Sequence, residues 1–362
     1  MTIVACVGCR EQYDPGIESL SKTFLVVEGN LTAGSDSTVI RLTRTYPLDA
    51  SATLKTENNA QLTVEGKDNT LRSIPGTGNG YYVSQNLGLI INNEYRLRIK
   101  TTDGKEYLSD YVRVKKTPPI DSINWERTDE GVEIFANTRD LANATHYYRW
   151  DFDETWEIHS PFISSYIYQN GVVRERIFPQ EDVSVCWKHA SSTAIVLANS
   201  TRLQEDIIYR APVNRIVNRD ERLSVRYSIL VRQYALEKEA YNFYELMKKN
   251  TEEIGSIFSS QPSELKGNFR CISNPADYVL GYLTASTIEK KRIFIQVGQW
   301  GFTLTCETKD VTLVPDSTAI YFGSGQYMPY QFTLVPPLYP SATPRCVDCT
   351  RRGGTLVKPS YW

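Results

Sequence analysis

The chain lacks long hydrophobic runs, and it has very little histidine. Its longest apolar stretches, such as Leu87–Ile91, are far shorter than the roughly 20 residues that cross a bilayer as a helix. Histidine occurs only three times, and never in a metal-binding spacing such as H-E-x-x-H. A nucleophile elbow and a P-loop are also missing, and the glycines of Gly76–Gly80 have the wrong spacing for a Rossmann turn. The sequence therefore predicts no metal, no cofactor and no membrane-spanning helix.

An excess of charge of either sign is missing too. Lys and Arg number 40 against 42 Asp and Glu, which gives a formal net charge of −2. A chain with this balance has no overall field that would hold it on nucleic acid or on an anionic membrane. With 362 residues, of which 41% are hydrophobic, it can bury one large core or two or three smaller ones. We expect a folded protein without a nucleic-acid partner.

What the sequence does contain is β-forming residues. Its 23 tyrosines stand with Trp, Phe, Val, Ile and Thr in short alternating runs, which favour strands over helices. From Thr23 onward such runs alternate with Gly, Asn, Asp and Ser clusters, and Asp103–Gly104 predicts a hairpin turn. The charged, proline-containing Lys115–Pro119 then ends the first series of strands. We predict a mainly β protein that begins with an immunoglobulin-like β-sandwich over residues 23–118.

A larger β-rich domain with one inserted α-helix is predicted over residues 119–345. Leu236, Ala240, Phe243 and Met247 recur at helical spacing, so the helix is expected near residues 236–252. The rest of this range returns to strand patterns. Residues 1–22 are interpreted as a signal remnant and tether, and residues 346–362 as a Cys- and Pro-containing tail that packs on the second domain.

The segment YYRWDFDETWEI carries the most suggestive carboxylates. At a spacing of two residues, the large apolar side chains share one face of a strand, and Asp151 and Asp153 share the other. One interpretation is an amphipathic strand with its tryptophans in the core. The alternative is a carbohydrate-active enzyme or carbohydrate-binding module that uses the Asp151, Asp153, Glu154 and Trp156 region. The candidate ligand contacts are Trp150, Asp151, Asp153 and Trp156.

Seven cysteines are more than a cytosolic β protein without a metal site usually carries. The C-x-x-C of Cys346 and Cys349 follows prolines and does not open a helix after a strand, so it lacks the context of a redox motif. A zinc site would need two further ligands. Structural disulfides in an oxidising compartment are the preferred interpretation, with the connectivity open. The candidates are Cys186, Cys271, Cys306, Cys346 and Cys349.

The first residues, MTIVACVGC, are similar to the end of a lipoprotein signal. Small residues precede both Cys6 and Cys9, as lipidation requires, but the basic start and full apolar segment of an export signal are missing. Met1 is therefore interpreted as an internal methionine of a longer precursor.

Several segments together resemble one family. These are REQYDPG after a cysteine, LVVEGNLT, YYRWDFDETWEI, the helix-containing YSILVRQYALEKEAYNFYELMKKNTEEIG and the final CVDCTRRGGTLVKPSYW. They are similar to Bacteroidota outer-membrane lipoproteins grouped as domain-of-unknown-function 4249. The resemblance implies lipidation at Cys9 rather than Cys6, and a gene next to that of a SusC-like TonB-dependent receptor. It assigns no catalytic residues.

The leading hypothesis is therefore a non-enzymatic accessory or ligand-binding protein. It would be anchored by lipid to the outer membrane, at the cell surface, and would work with a SusC-like TonB-dependent transporter in nutrient uptake. A lipidated cysteine that carries two or more acyl chains anchors stably. The ligand is not indicated by the sequence.

Overall fold

The structure is a computed structural model that describes residues 23–45, 55–252, 265–296 and 302–362. The described residues form two compact units. Of these, residues 23–45, 55–115 and 265–287 belong to unit 1, and residues 116–252, 288–296 and 302–362 belong to unit 2. The chain therefore leaves unit 1, builds most of unit 2, returns to unit 1 and then completes unit 2.

The described strands and helices are numbered in chain order. The first ten strands are β1 Leu25–Thr32, β2 Ser37–Arg44, β3 Lys55–Thr56, β4 Gln61–Gly66, β5 Leu71–Ile74, β6 Gly76–Gly78, β7 Tyr81–Gln85, β8 Glu94–Lys100, β9 Glu106–Ser109 and β10 Val112–Arg113. The next nine are β11 Ile120–Thr128, β12 Gly131–Asp140, β13 Tyr147–His159, β14 Tyr166–Gln169, β15 Val172–Glu175, β16 Val185–Ser191, β17 Val196–Asn199, β18 Asp206–Val217 and β19 Arg226–Ala235. The last eight are β20 Phe269–Cys271, β21 Val279–Leu280, β22 Thr284–Ser286, β23 Ile288–Gln296, β24 Thr308–Thr312, β25 Met328–Pro329, β26 Thr333–Leu334 and β27 Pro337–Ala342. The α-helices are α1 Lys238–Glu252, α2 Pro315–Thr318 and α3 Pro344–Val347, and short helical turns cover Glu221–Leu223, Ala319–Gly323 and Cys349–Arg352.

Unit 1 is a β-sandwich, as the sequence predicts. One sheet has the order β21-β1-β2-β7-β6, and the other has the order β20-β9-β8-β4-β5. Alternate residues of these strands point inward, so that apolar side chains from both sheets form a single core. Its fully buried members include Leu25, Ile40, Leu42, Leu97, Ile99 and Tyr107.

Three strands of unit 1 come from far along the chain. Strand β20 pairs antiparallel with β9, and β21 and β22 pair in parallel with β1, where Leu25 lies opposite Val279. At this edge the Thr284 hydroxyl donates to Asn30 Oδ1 over 2.8 Å. The sequence pattern predicts these residues to be part of the second domain, over 119–345, but strand pairing places them in unit 1. Parallel pairing over such a sequence distance leaves no local signal, which is why the pattern along the chain did not indicate it.

Unit 2 contains a second sandwich. A three-stranded sheet, β11-β12-β18, faces a sheet of order β16-β13-β19-β23 to which β17 adds. The alternation predicted for β13 is confirmed: Tyr148, Trp150, Phe152, Trp156 and Ile158 are buried in the core between the sheets. The one polar atom of Trp150 is satisfied because its Nε1 donates to Gln233 Oε1 over 2.9 Å.

The predicted helix is present as α1. Its buried side chains include Ala240, Tyr241 and Tyr244, and the Tyr241 ring packs at a tilt against that of Tyr147 of β13, with 5.1 Å between the ring centres. Arg149 of the same strand lies between the rings of Tyr244 and Tyr234. The helix thus covers one end of the outer face of the sheet. No helix in the described ranges is long and apolar enough to cross a membrane.

One disulfide fastens the chain after residue 302 to the rest of unit 2, and a second disulfide closes a loop within this segment. Cys186 bonds to Cys349 and Cys306 bonds to Cys346, whereas Cys271 is buried without a disulfide in unit 1. The tail ends on the outer face of β13, where the Tyr361 and Thr155 hydroxyls are 2.8 Å apart and Trp362 Nε1 donates to Glu157.

Candidate functional site

The carboxylates singled out in the sequence are held by arginine. Arg232 donates to Asp151 and to Asp153, and Ser191 Oγ donates to Asp153 over 2.7 Å. Burial alone would raise the pKa of Asp153, but Arg232 and Ser191 hold that pKa below its ordinary value. A general acid needs a raised pKa and a free proton, and this carboxyl has neither.

The other members of that region face away from these carboxylates. Glu154 points into the core, where it accepts from Tyr227 over 2.6 Å, Asn214 over 2.9 Å and Arg222 over 3.0 Å. Asp151 and Glu154 therefore cannot flank one glycosidic bond from the two sides. The residues Trp150 and Trp156 are only 1% and 8% exposed, so neither presents a stacking face to a sugar.

A Ser, His and Asp cluster lies near the start of β13, but its order differs from that of a catalytic triad. Ser200 Oγ is 3.1 Å from His146 Nδ1 and donates to Asp206 over 2.5 Å. In a triad the histidine stands between the serine and the carboxylate, so that it can accept the serine proton. Here the serine is in the middle and only 1% exposed. Its role is to order the turn in which His146 has a positive φ of 57°.

An open polar groove lies on the outer face of the three-stranded sheet. It has a volume of about 720 Å³ and is lined by Ser122, Asn124, Trp125, Glu126, Asn137, Tyr209 and Arg210. Most of its polar groups bond to each other: Asn137 Nδ2 donates to Ser122 and Asn124, and Arg210 pairs with Glu126. The groove is therefore a solvent-exposed surface on which most polar side chains already have hydrogen-bond or ion-pair partners.

A more enclosed cavity lies in the C-terminal part of unit 2, and we call it the Arg176 cavity. Its volume is about 390 Å³, which is within the range of small-molecule sites. The apolar and aromatic side chains form most of the wall, and Arg176, Asp348 and Arg351 supply the charges. The lining residues are Ile167, Tyr168, Arg176, Val183, Phe322, Gly325, Tyr327, Met328, Pro329, Pro344, Asp348 and Arg351.

A hairpin places Tyr168 and Arg176 at this cavity. Strands β14 and β15 pair through Asn170 and Gly171, both with positive φ (52° and 84°). Asn-Gly is the favoured pair for such a tight turn because both positions need a left-handed backbone. Arg176 follows β15 directly, and its backbone N–H donates to the Ser165 carbonyl over 2.8 Å.

The opposite wall is formed mainly by residues between Cys306 and Cys349, each of which is disulfide-bonded. Phe322 is buried, and its ring lies 6.0 Å from that of Tyr168. Pro344 begins α3, which carries Cys346, and Asp348 follows this helix directly. The cavity is thus assembled from residues 167–183 and 322–351, which are distant in the chain. The sequence pattern did not indicate the cavity, although the Asn170–Gly171 turn between alternating residues was a readable signal for its first wall.

The remaining site predictions fall partly outside the described residues. Cys9 lies outside them, so its lipidation stays a prediction. Four of the five candidate disulfide cysteines form the two bridges, and Cys271 is the exception. In the described ranges no three His, Cys, Asp or Glu side chains come together as a metal site.

Comparisons with known proteins give a family but no activity. No curated protein matches the chain. Among solved structures, the FN1–FN3 domains of chicken CNTN1 share 13% identity over 58% of this chain and 60% of that one, with a TM-score of 0.19. The chain thus spans 60% of that structure's length, and a similarity this low supports no argument. The model of the family described as "Domain of unknown function (DUF4249)" matches residues 10–292, which is more than half of the sequence. The chain therefore belongs to the DUF4249 family.

Proposed function

We propose that this protein is a lipid-anchored, non-enzymatic ligand-binding accessory of an outer-membrane, SusC-like TonB-dependent transporter in nutrient uptake. The observation that carries the binding role is the Arg176 cavity, a concave site that combines apolar and aromatic side chains with the charged groups of Arg176, Asp348 and Arg351. The transporter partner, the Bacteroidota source and the outer-membrane location follow from the family resemblance, and they belong to this proposal.

A binding role agrees with the chemistry of the described residues better than catalysis does. The carboxylates of the rival hypothesis, Asp151 and Asp153, form ion pairs with Arg232. Glu154, the third carboxylate, points to the opposite face of the strand. A glycoside hydrolase needs two free carboxyls on either side of one bond, and this region does not supply them.

The partnership is tested by isolating the tagged full-length precursor from detergent-solubilised outer membranes. We expect a large β-barrel receptor to co-purify at an equal molar amount. The matched control is Cys9→Ser in the same precursor, which removes the proposed lipid acceptor and leaves the folded units unchanged.

The Cys9→Ser control should lose label from an alkyne fatty acid and should leave the membrane fraction. Retention of the label in Cys9→Ser would contradict lipidation at Cys9. Recovery of the wild-type protein alone, without a receptor, would contradict the transporter partnership.

A further inference from the structure

We infer that the Arg176 cavity recognises an organic carboxylate with a flat or apolar body, through the guanidinium of Arg176. This inference names the ligand class of the binding site proposed above, and it rests on that proposal.

Arg176 is a buried cation that has no carboxylate partner among the residues that the structure describes. Only 9% of the residue is exposed, and no carboxylate oxygen of the described residues lies within 4.0 Å of its guanidinium. Burial of a charge is costly unless an opposite charge or hydrogen bonds compensate it. Burial accordingly lowers the pKa of Arg176 below its ordinary value, although the nearby carboxylates of Asp348 and Glu181 act to raise it.

The nearby carboxylates have other partners. Glu181 pairs with Arg174 at 2.6 Å. Asp348 accepts from the backbone N–H and the hydroxyl of Thr350 over 2.8 and 2.6 Å, and Arg351 is 3.7 Å from it. With Arg176 and Arg351 positive and Asp348 negative, the charges that line the cavity sum to one positive charge, which suits a ligand with one negative charge.

The hydrogen bonds of Arg176 leave one nitrogen for a ligand. Its Nε donates to Ser164 Oγ over 3.0 Å and its Nη1 to the Glu181 carbonyl over 3.1 Å. Its Nη2 has no acceptor in the described part of the chain, but it is not sealed from solvent. Because Arg176 lines the cavity, we assign this nitrogen to a ligand carboxylate, and arginine–carboxylate hydrogen bonds are among the strongest in proteins.

The walls define the rest of the ligand. Tyr168, Phe322 and Tyr327 offer ring surface, and Met328 adds a flexible apolar side chain. These side chains favour a planar or apolar group next to the carboxylate. Two sources share this chemistry: an amino acid or short peptide with a free C-terminus, and a sugar acid with one apolar face.

The test compares acids with their neutral amides by isothermal titration calorimetry on the full-length protein. One arm uses N-acetylphenylalanine and N-acetylphenylalaninamide, and the other uses glucuronate and glucuronamide. We expect the acid of at least one pair to bind about 10- to 100-fold more tightly than its amide, because a hydrogen bond to a charged group is stronger. The arm that shows this preference identifies the source.

Matched variants assign the preference to Arg176. In Arg176→Met the preference for the acid should fall to about onefold, and in Tyr327→Ala both members of a pair should bind more weakly with the preference intact. Arg202→Met is the control, since it removes an exposed arginine of unit 2 that does not line the cavity. If Arg176→Met fails to fold, Arg176→Lys is used, which keeps the charge and should lower the preference.

The inference is overturned if acid and amide bind the wild type equally, if neither acid binds, or if the Arg176 variants keep the preference. The proposed function would survive these results, because it is tested by receptor co-purification rather than by the choice of ligand. If no receptor co-purified but the acid still bound, the transporter partnership would be contradicted and the ligand class would stand.

Discussion

Arg232 shows at the scale of single residues why the conspicuous carboxylates of this chain are structural. Its guanidinium joins Asp151 and Asp153 on the outer face of β13, and its own side chain is only 22% exposed. The alternation of β13 was predictable because it depends on neighbouring residues. The ion-pair partner of Asp151 and Asp153 was not predictable in this way, since Arg232 lies on another strand about 80 residues away.

We predict that Arg232→Met lowers the free energy of unfolding by about 1–3 kcal/mol, because it removes the ion-pair partner of Asp153 and leaves Asp151 with only the longer 3.7 Å contact to Arg149. The loss should stay below that of a fully buried pair, since the Asp153 side chain is 39% exposed. Urea denaturation monitored by tryptophan fluorescence measures it. Lys249→Met is the control: it breaks the exposed pair with Glu245 and should cost less than about 0.5 kcal/mol. Equal losses in the two variants would refute the structural role of Arg232.

The same ion pair gives a pH dependence with a defined sign. The pKa of Asp153 is lowered in the folded protein, so its contribution is fully present above its unfolded pKa of about 3.9. The contribution is lost as the pH falls through the lower, folded pKa. Wild-type stability should therefore decrease below about pH 4, and Arg232→Met should decrease less steeply over the same range.

Pairing between distant strands dominates at the scale of elements. Strand β21 lies against β1 at a glycine: a Cβ on Gly281 would come within 2.1 Å of the Val27 carbonyl oxygen. Gly281 also has a φ of 133°, which side chains rarely adopt. The close approach of the two backbones thus depends on the missing side chain.

Gly281→Ala should detach β21 and β22 from β1. Gly34→Ala is the matched control, because Gly34 has a φ of 94° but no atom lies within 4 Å of the position that its Cβ would take. Both variants introduce backbone strain, and only Gly281→Ala adds a steric clash, which should cost about 1–3 kcal/mol more. Hydrogen exchange of the β1 amides is the measurement. Similar protection of β1 in the two variants would show that the parallel pairing does not stabilise unit 1.

The elements that the sequence predicted are those with local signals. Helix α1 follows from the repeat of Ala240 and Phe243, and β13 from the alternation of its aromatic residues. The three strands β20 to β22 carry the same β pattern as their neighbours, so their pattern indicates strands but not the sheet that they join. The Arg176 cavity was missed for the same reason, since its walls are brought together by tertiary contacts.

Two disulfides set long-range constraints on the molecule as a whole. Cys186 and Cys349 are 163 residues apart in sequence, whereas Cys306 and Cys346 are 40 apart. A bond that closes a longer loop removes more entropy from the unfolded chain. Each bond should contribute about 2–5 kcal/mol.

We predict that replacing Cys186 and Cys349 by serine destabilises the protein by about 1 kcal/mol more than replacing Cys306 and Cys346. The measurement is the urea denaturation midpoint of each double variant and of the wild type, taken under non-oxidising and under oxidising conditions. A larger loss from the short-loop pair would show that local packing around Cys346, rather than loop entropy, decides the contribution.

The alternation of the chain between the two units also fixes an order of events during synthesis. Strands β1 to β10 are made first, but the edges of their sheets at β1 and β9 stay open until β20 to β22 have been made. Open sheet edges are templates for pairing with other chains, and late, distant contacts slow folding. The first sandwich therefore keeps unpaired edges while more than 150 further residues are synthesised. A newly made chain would benefit from a partner that protects those edges.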